Sequence, residues 1–415
     1  MQISIIEFSL ENFKTFKNKA TFSMVAPKNK HTFESNGENI LKTSFIYGPN
    51  ATGKTSILEG FELMKQGILL SANNKENAEL PFLPFLASEE TSNKPVSLEL
   101  VFSATDLFEG VYRYSFSFLK DHIITENMVR VSSSGKEEEL ISRDNQNIKI
   151  GKDFFDAEIL SNKTRKESLF LSVSAQFNDK FALAFINALR NINTLSSINY
   201  KIYQQFTIKK FKEDLEFRQE LLKYLNTADF SISDGSTEEV DIQNIDIKDN
   251  PGEFSATKNI TKMNVLSLEH SIYDKDSKKI SSFKLLLDQE SIGTQKFISV
   301  MGPIIDTLKN GKVLLVDEFD NSLHPLLTKF IIDLFESSET NKKNAQLIVT
   351  THDTSLLSYR DEFIKDQFWF TEKDEFGSAK LFSLAEFDMR NDTEYAKKYL
   401  EGRFGALPII GSVKI

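Results

Sequence analysis

No cysteine occurs among the 415 residues. Disulfides, thiolate zinc sites and cysteine nucleophiles are therefore excluded, and the composition suits a reducing cytoplasm. No apolar run approaches the ~18 residues that a membrane-spanning helix requires. The opening stretch MQISIIEFSLENF carries acidic residues early and has no basic segment ahead of them, so it does not read as a signal peptide. Basic charge is also in deficit. With 50 Lys and Arg against 60 Asp and Glu, the formal net charge is −10, which argues against a uniformly basic nucleic-acid coat and leaves room only for a local basic groove. Tryptophan appears once, whereas phenylalanine appears 36 times, within an apolar share of 40%. That is enough for one large elaborated domain or two to three small ones. There is no internal repeat.

What is present begins with alternation. ISIIEFSLENFKTFKN (residues 3–18) and TFSMVA predict a strand pair at the front of a mixed sheet. KTSFIYG (42–48) reads as a buried strand that leads through a loop into a helix from about Lys54 to Leu70. Residues 71–95, rich in Asn, Glu, Ser and Pro, predict an exposed excursion. VSLELVF, VYRYSFSF and HIITENMVRVSS predict antiparallel strands, with a further hairpin in GKEEELISRDNQNIKI. ESLFLSVSAQFND reads as a buried strand or a helix start, and FALAFINALRNI has helical spacing. FTIKKFKEDLEFRQELLKYLNT (206–227) predicts an amphipathic helix with Phe206, Phe211, Leu215 and Leu222 near one side. From Asp229 to Lys262 the acidic, polar composition predicts a flexible or partly disordered loop. Regular α/β signals then return. The expected fold class is α/β, a nucleotide-binding head with a mixed sheet split by a long α+β insertion. Its parts are a first half at 1–70, the insertion at 71–280 with 167–180 returning to the head, a second half at 281–375, and a tail at 376–415.

Two motifs carry chemistry. Gly48-Pro49-Asn50-Ala51-Thr52-Gly53-Lys54-Thr55, followed by Ser56, satisfies G-x-x-x-x-G-K-[ST] between a strand and a helix. Gly48 and Gly53 let backbone N–H groups of the Asn50–Ser56 stretch close around a phosphate, and the helix dipole points at the same anion. Lys54 reaches the β- and γ-phosphates, and the Thr55 hydroxyl ligates Mg²⁺. The expected ligands are thus ATP and Mg²⁺. Downstream, Lys312-Val313-Leu314-Leu315-Val316-Asp317-Glu318 is an apolar strand that ends in two acids. Its aliphatic run sets Asp317 at the carboxyl edge of a sheet, where phosphate ligands sit. Asp317 is the expected Mg²⁺ ligand through water, and Glu318 the base that orients and deprotonates the attacking water.

Glu290-Ser291-Ile292-Gly293-Thr294-Gln295 opens a helix just upstream of those acids and resembles the signature of ABC-type ATPases, although Ile292 and Thr294 depart from the common form. Gln346-Leu347-Ile348-Val349-Thr350-Thr351-His352-Asp353 resembles the strand of those proteins that ends in a histidine, and Asp320-Asn321-Ser322-Leu323-His324-Pro325 resembles their interface segment, with His324 read as structural. Asn12-Phe13-Lys14-Thr15-Phe16 is similar to the front strand of SMC-type heads. Together with SLFLSVSAQFN, FWFTEKD and the tail YLEGRFGALPIIG, the chain resembles over nearly its whole length the ABC-type ATPases of bacterial anti-phage and abortive-infection systems. These include RloA, AbiL-type proteins, the ATPase of the PARIS system and the ATPase half of OLD-family nucleases.

The resemblance implies that Ser291 and Gly293 contact the γ-phosphate held by an opposite subunit. It implies that His352 hydrogen-bonds the γ-phosphate, that Lys14 touches the nucleotide and that Gln176 senses Mg²⁺. It also implies a homodimer, or a larger assembly of dimers, around shared ATP–Mg sites. Only about 40 residues follow FTEKD, too few for the Toprim nuclease domain of OLD proteins. The implied effector is then a separate nuclease-like protein, Toprim-like or RloB-like, with a phage product as trigger. Two alternatives stay open: a DNA-repair ATPase of the RecF or SMC kind, and a scaffold that binds ATP tightly and turns it over slowly. No membrane partner is expected.

Overall fold

The computed structural model describes residues 2–407 except 107, 133–134, 153, 155–156, 197–198, 229, 251–252, 322, 360 and 389–393, and gives the backbone alone at 157 and 242–261. The fold is a mixed α/β one. The chain divides into two compact units, 1–196 with 307–320 and 331–415, and 197–306 with 321–330.

The first unit opens with β1 (Gln2–Glu11) and β2 (Ala20–Ser23), followed by the small hairpin β3 (Thr32–Ser35) and β4 (Glu38–Leu41). Then come the fully buried β5 (Thr43–Tyr47) and helix α1 (Lys54–Leu70). Next are β6 (Val96–Thr105), β7 (Gly110–Phe118), β8 (Ile123–Val131), β9 (Glu137–Asp144) and β10 (Asn147–Ile150). Helices α2 (Ala157–Lys163), α3 (Phe170–Gln176) and α4 (Lys180–Leu189) lead into β11 (Ile192–Ser196). These strands build a seven-stranded antiparallel sheet ordered β10-β9-β8-β7-β6-β1-β2. On α1, Ile57, Leu58, Phe61, Met64 and Ile68 are buried at helical spacing, and Phe61 stacks on Phe8 of β1 at 3.8 Å. Buried Glu126 of β8 accepts the amides of Phe170 and Leu171, which open α3, so that residues 167–180 are tied to this sheet.

The second unit contains α5 (Lys201–Glu213), α6 (Leu215–Thr227), β12 (Ile232–Asn250), β13 (Glu253–Tyr273), β14 (Lys279–Leu286) and most of α7 (Ile292–Asn310). In this unit the Thr207 hydroxyl donates to the Ser299 carbonyl at 2.9 Å, and Phe297 packs on Phe230 and Phe330.

The first unit also contains β15 (Val313–Asp317), the second half of α8 (Pro325–Glu336), β16 (Gln346–Thr350), β17 (Phe368–Lys373), β18 (Ala379–Ser383) and α9 (Tyr395–Leu400). A six-stranded sheet results, ordered β11-β15-β16-β5-β17-β18, parallel except for β18. Strands β5, β15 and β16 are buried along almost their whole length, polar Thr43, Ser44, Gln346 and Thr350 included, because both faces of a parallel sheet are covered. Gln346, at the start of β16, stitches the two sheets. Its amide oxygen accepts the N–H of Ile5 at 2.7 Å, beside the register shift of β1, and its nitrogen donates to the Ile5 carbonyl at 3.0 Å.

Several sequence expectations are corrected. Of the stretch 229–262, residues 232–250 and 253–262 are antiparallel paired strands rather than a loop, because the register runs unbroken from Asp234 opposite Glu269 to Asn250 opposite Glu253, while 229 and 251–252 lie outside the described residues. Backbone pairing overrides the polar composition there. The insertion does not run from 71 to 280: residues 71–196 belong to the first unit, whereas 281–306 and 321–330 belong to the second. The boundary at 375 falls inside the β17–β18 hairpin. The segment 206–227 is two helices broken at Asp214, whose side chain caps the second. Its buried face carries Ile208, Phe211, Phe217 and Leu221, while Phe206 and Leu215 are exposed. ESLFLSVSAQFND, read as a buried strand or a helix start, takes the second form as α3. Among the described residues no helix is long and apolar enough to cross a membrane.

Candidate functional site

The carboxyl ends of three neighbouring parallel strands bring the two motifs together. Strand β5 leads into the glycine-rich loop, β16 beside it leads to His352, and β15 beyond it ends at Asp317. The last registered pair of β15 and β16 is Val316 with Val349, which sets Thr350 across from Asp317. This is the edge of an α/β sheet at which ligands gather.

The loop is built for a backbone that approaches closely. Gly48 has φ +152, and a Cβ there would lie 2.3 Å from the Thr371 hydroxyl and 2.5 Å from the Thr371 carbonyl oxygen. Gly53 has φ +113, and a Cβ there would lie 2.8 Å from both the Phe16 ring and the Thr15 hydroxyl. Thr371 on β17 braces the loop through a 2.7 Å hydrogen bond between hydroxyls with Thr52, which in turn donates to the Pro49 carbonyl. Gly53 provides no side-chain cap for α1. The first-turn amides therefore remain for an anion. Asn50 lies exposed in the turn, and Ser56 is buried with its hydroxyl 3.4 Å from that of Thr15.

Lys54 is buried, and its Nζ donates to the carbonyls of Gly48 at 2.6 Å and Pro49 at 2.9 Å. Burial lowers its pKa to about 8, against the opposing pull of Asp317, Glu318 and Asp320. Below that pH the amine is charged and suited to a polyphosphate. A bound polyphosphate favours the charged form and raises the pKa again, so binding takes up a proton above pH 8. Affinity is expected to fall as pH rises past 8, by up to about tenfold per unit. Calorimetry at pH 8.5 in buffers of different ionisation heat measures that uptake; an affinity constant from pH 7 to 9 with no uptake contradicts it.

The acids are held in turn. The Thr55 hydroxyl donates to Asp317 Oδ2 at 3.0 Å, and the Thr350 hydroxyl donates to Asp317 Oδ1 at 2.6 Å. Glu318 adopts a left-handed φ of +51, and its N–H donates to the Thr350 hydroxyl at 2.8 Å. The backbone N–H of His352 donates to Asp320 Oδ1 at 3.2 Å. Its imidazole pKa is lowered, first by lost hydration and then by the nearby Lys54 charge, against Asp320, Glu318 and Asp317. The ring is therefore neutral at pH 7 and carries one N–H for donation. Among the described residues no group of three or more His, Asp or Glu is placed to hold a metal by itself. A hydroxyl and a carboxylate oxygen 3.0 Å apart nevertheless fit Mg²⁺, which takes hard oxygen ligands and keeps several waters and phosphates of its own.

Not every expected residue reaches this cluster. Gln176 donates to Asn73 at 2.8 Å, beyond the far end of α1, about 25 Å from the phosphate loop for a 17-residue helix. It is not positioned to sense a metal there. Lys14 has φ +48 and pairs with Glu59 of α1 at 2.5 Å, while its neighbours Thr15 and Phe16 make the contacts with the loop. Ser291 and Gly293 lie in the second unit. Ser291 precedes α7, with its hydroxyl accepting the Thr294 N–H at 3.2 Å. The Nδ1 of His324 accepts the Leu326 N–H at the start of α8, a capping role. Ser322 lies outside the described residues. In the tail, Phe404 packs on Phe370 and Phe387, Tyr399 donates to the Ala406 carbonyl, and the Ala406 N–H donates to Glu372. Residues 408–411 of the tail motif are outside the described residues. Sequence reading missed Thr350, Thr371 and Thr15. Each lies inside a quoted stretch, Thr15 in Asn12–Phe16, Thr350 in Gln346–Asp353 and Thr371 in FWFTEKD, but a threonine in a strand or turn carries no mark of such a role.

The family described as "AAA domain, putative AbiEii toxin, Type IV TA system" matches residues 44–358. No curated protein matches the chain. Among solved structures it is similar to the "SMC head domain from Thermotoga maritima", at 10% identity over 92% of this chain and 99% of that one, with a TM-score of 0.38.

Proposed function

Because the chain belongs to this AAA-domain family, we propose that it is an ABC-type P-loop ATPase that couples ATP and Mg²⁺ binding to pairing of two copies. As the regulatory scaffold of an anti-phage system, it would control a separate nuclease-like effector. The observation that carries the nucleotide part is the convergence of Lys54, Thr55, Asp317 and Glu318 at one sheet edge, with Thr55 and Asp317 3.0 Å apart. The family description names a putative toxin of a Type IV TA system, which is in keeping with a role beside a separate protein.

When bound, Mg²⁺ neutralises charge on the phosphate oxygens. The α1 amides and Lys54 bind the phosphates, the amine leaving the carbonyls of Gly48 and Pro49 to do so. Thr55 and Asp317, whose oxygens lie 3.0 Å apart, would hold the ion. Glu318 holds and deprotonates the attacking water, and neutral His352 donates a hydrogen bond to the terminal phosphate. Ser291 and Gly293 of a second copy complete each site, which makes two-fold pairing the working state.

Light scattering on the purified chain with its encoded neighbours, with and without ATP–Mg²⁺, tests this. The expected result is a doubled mass with ATP and a nuclease-like protein in the complex. A chain that stays single with ATP, or one whose turnover rises on adding DNA, contradicts the proposal.

A further inference from the structure

We propose that Thr350 is the positioning residue of this site, setting the rotamer of Asp317 and the backbone of Glu318 through one buried hydroxyl. This rests on the nucleotide reading above and deepens it. Thr350 is fully buried at the end of β16. A hydroxyl has one proton and two lone pairs, and here both capacities are used on the acid pair. The proton goes to Asp317 Oδ1 at 2.6 Å, and a lone pair takes the N–H of Glu318 at 2.8 Å.

Each bond does something different. The first fixes Asp317 so that its other oxygen, Oδ2, faces the Thr55 hydroxyl at 3.0 Å, which is the metal side. Without Thr350, Oδ1 loses its short bond and the carboxylate is free to turn. The second holds Glu318 in a left-handed conformation that non-glycine residues adopt at a cost. The Phe319 N–H also donates to the Thr350 carbonyl at 3.0 Å, so the turn after β15 is fastened on both sides of Glu318. The register of the parallel pair makes this possible, since Thr350 is the β16 residue directly across from Asp317. Thr350 itself touches no reacting atom, and its effect passes through the two acids.

The test compares Thr350→Val, which keeps the branched shape and removes the hydroxyl, with Thr350→Ser, which keeps the hydroxyl. Binding of a fluorescent ADP analogue is titrated with Mg²⁺ and repeated in EDTA, alongside turnover and thermal melting. In Thr350→Val the Mg²⁺ needed for half-maximal binding is expected to rise about tenfold to a hundredfold, with a fall in kcat of similar size, as for other residues that orient metal ligands. ADP binding in EDTA is expected to stay at the wild-type level, and Thr350→Ser to restore Mg²⁺ dependence to within about threefold. Wild-type Mg²⁺ dependence in Thr350→Val overturns the assignment. So does equal impairment of the Val and Ser variants, or loss of EDTA binding together with melting temperature, which marks a structural role. A wild-type chain without any Mg²⁺-dependent ADP binding overturns the nucleotide reading itself, and this assignment with it. Wild-type binding beside an unaffected Thr350→Val overturns the assignment alone.

Discussion

Glu318→Gln is expected to lower ATP turnover by about 10²- to 10⁴-fold while leaving ATP affinity equal or higher. Glutamine keeps the size of the side chain and the N–H that Thr350 accepts, and it tolerates the left-handed φ of +51 no worse than glutamate does. Folding is therefore expected to change by no more than about 0.5 kcal/mol. What is lost is the carboxylate that takes a proton from water. Removing a negative charge near the phosphates also eases their binding. The Glu318 charge pulls the Lys54 pKa upward, so Lys54 in this variant is expected to titrate lower, and tight binding to fade at a lower pH than in the wild type. Single-turnover measurement with ATP and equilibrium binding of ATP together check the prediction. Turnover within threefold of wild type removes Glu318 from the role of base.

The second large effect concerns Lys54. Lys54→Met is expected to weaken nucleotide binding by about 100-fold or more, since charge-assisted hydrogen bonds to phosphate contribute about 1.5–3 kcal/mol each. Its melting temperature is expected to hold or rise. The amine is buried, and its lowered pKa shows that burial disfavours the charged form more than the neighbouring acids restore it. Methionine fills a similar volume without that penalty, although the carbonyls of Gly48 and Pro49 lose a donor. A residue that destabilises the empty fold yet is needed for its ligand is the trade expected at a functional site. Differential scanning fluorimetry with and without ADP separates the two effects. A Lys54→Met protein that melts well below wild type contradicts the stability half, and one that ADP still stabilises contradicts the binding half.

The parts of the site that were legible share one property, in that their chemistry is written in contiguous residues. The loop from Gly48 to Thr55 needs a strand before it and a helix after it, and the structure has β5 and α1 on either side. The acid pair follows four buried aliphatics, and β15 ends at Asp317. The illegible parts depend on which segments meet. Gln176 looks like a polar residue after a buried run, yet α3 carries it to the far end of α1. Lys14 looks like a free cation beside the loop, but Glu59, five residues along α1 from Lys54, claims it. The acidic stretch at 229–262 has the composition of a loop, and only the cross-strand register makes 232–250 and 253–262 paired strands.

By itself the sequence determined that this is a phosphate-binding α/β protein, with a lysine, a threonine hydroxyl and two adjacent acids to do the work. Backbone conformation and local spacing suffice for such motifs, because glycine freedom, strand length and helix start are properties of a few consecutive residues. Only the tertiary structure decided that Thr350 lies across from Asp317, that Thr371 braces Gly48, and that Lys54 is buried enough to titrate near pH 8. Those depend on strand order and on the exclusion of water, which arise only when residues from 33 to 319 positions apart pack together.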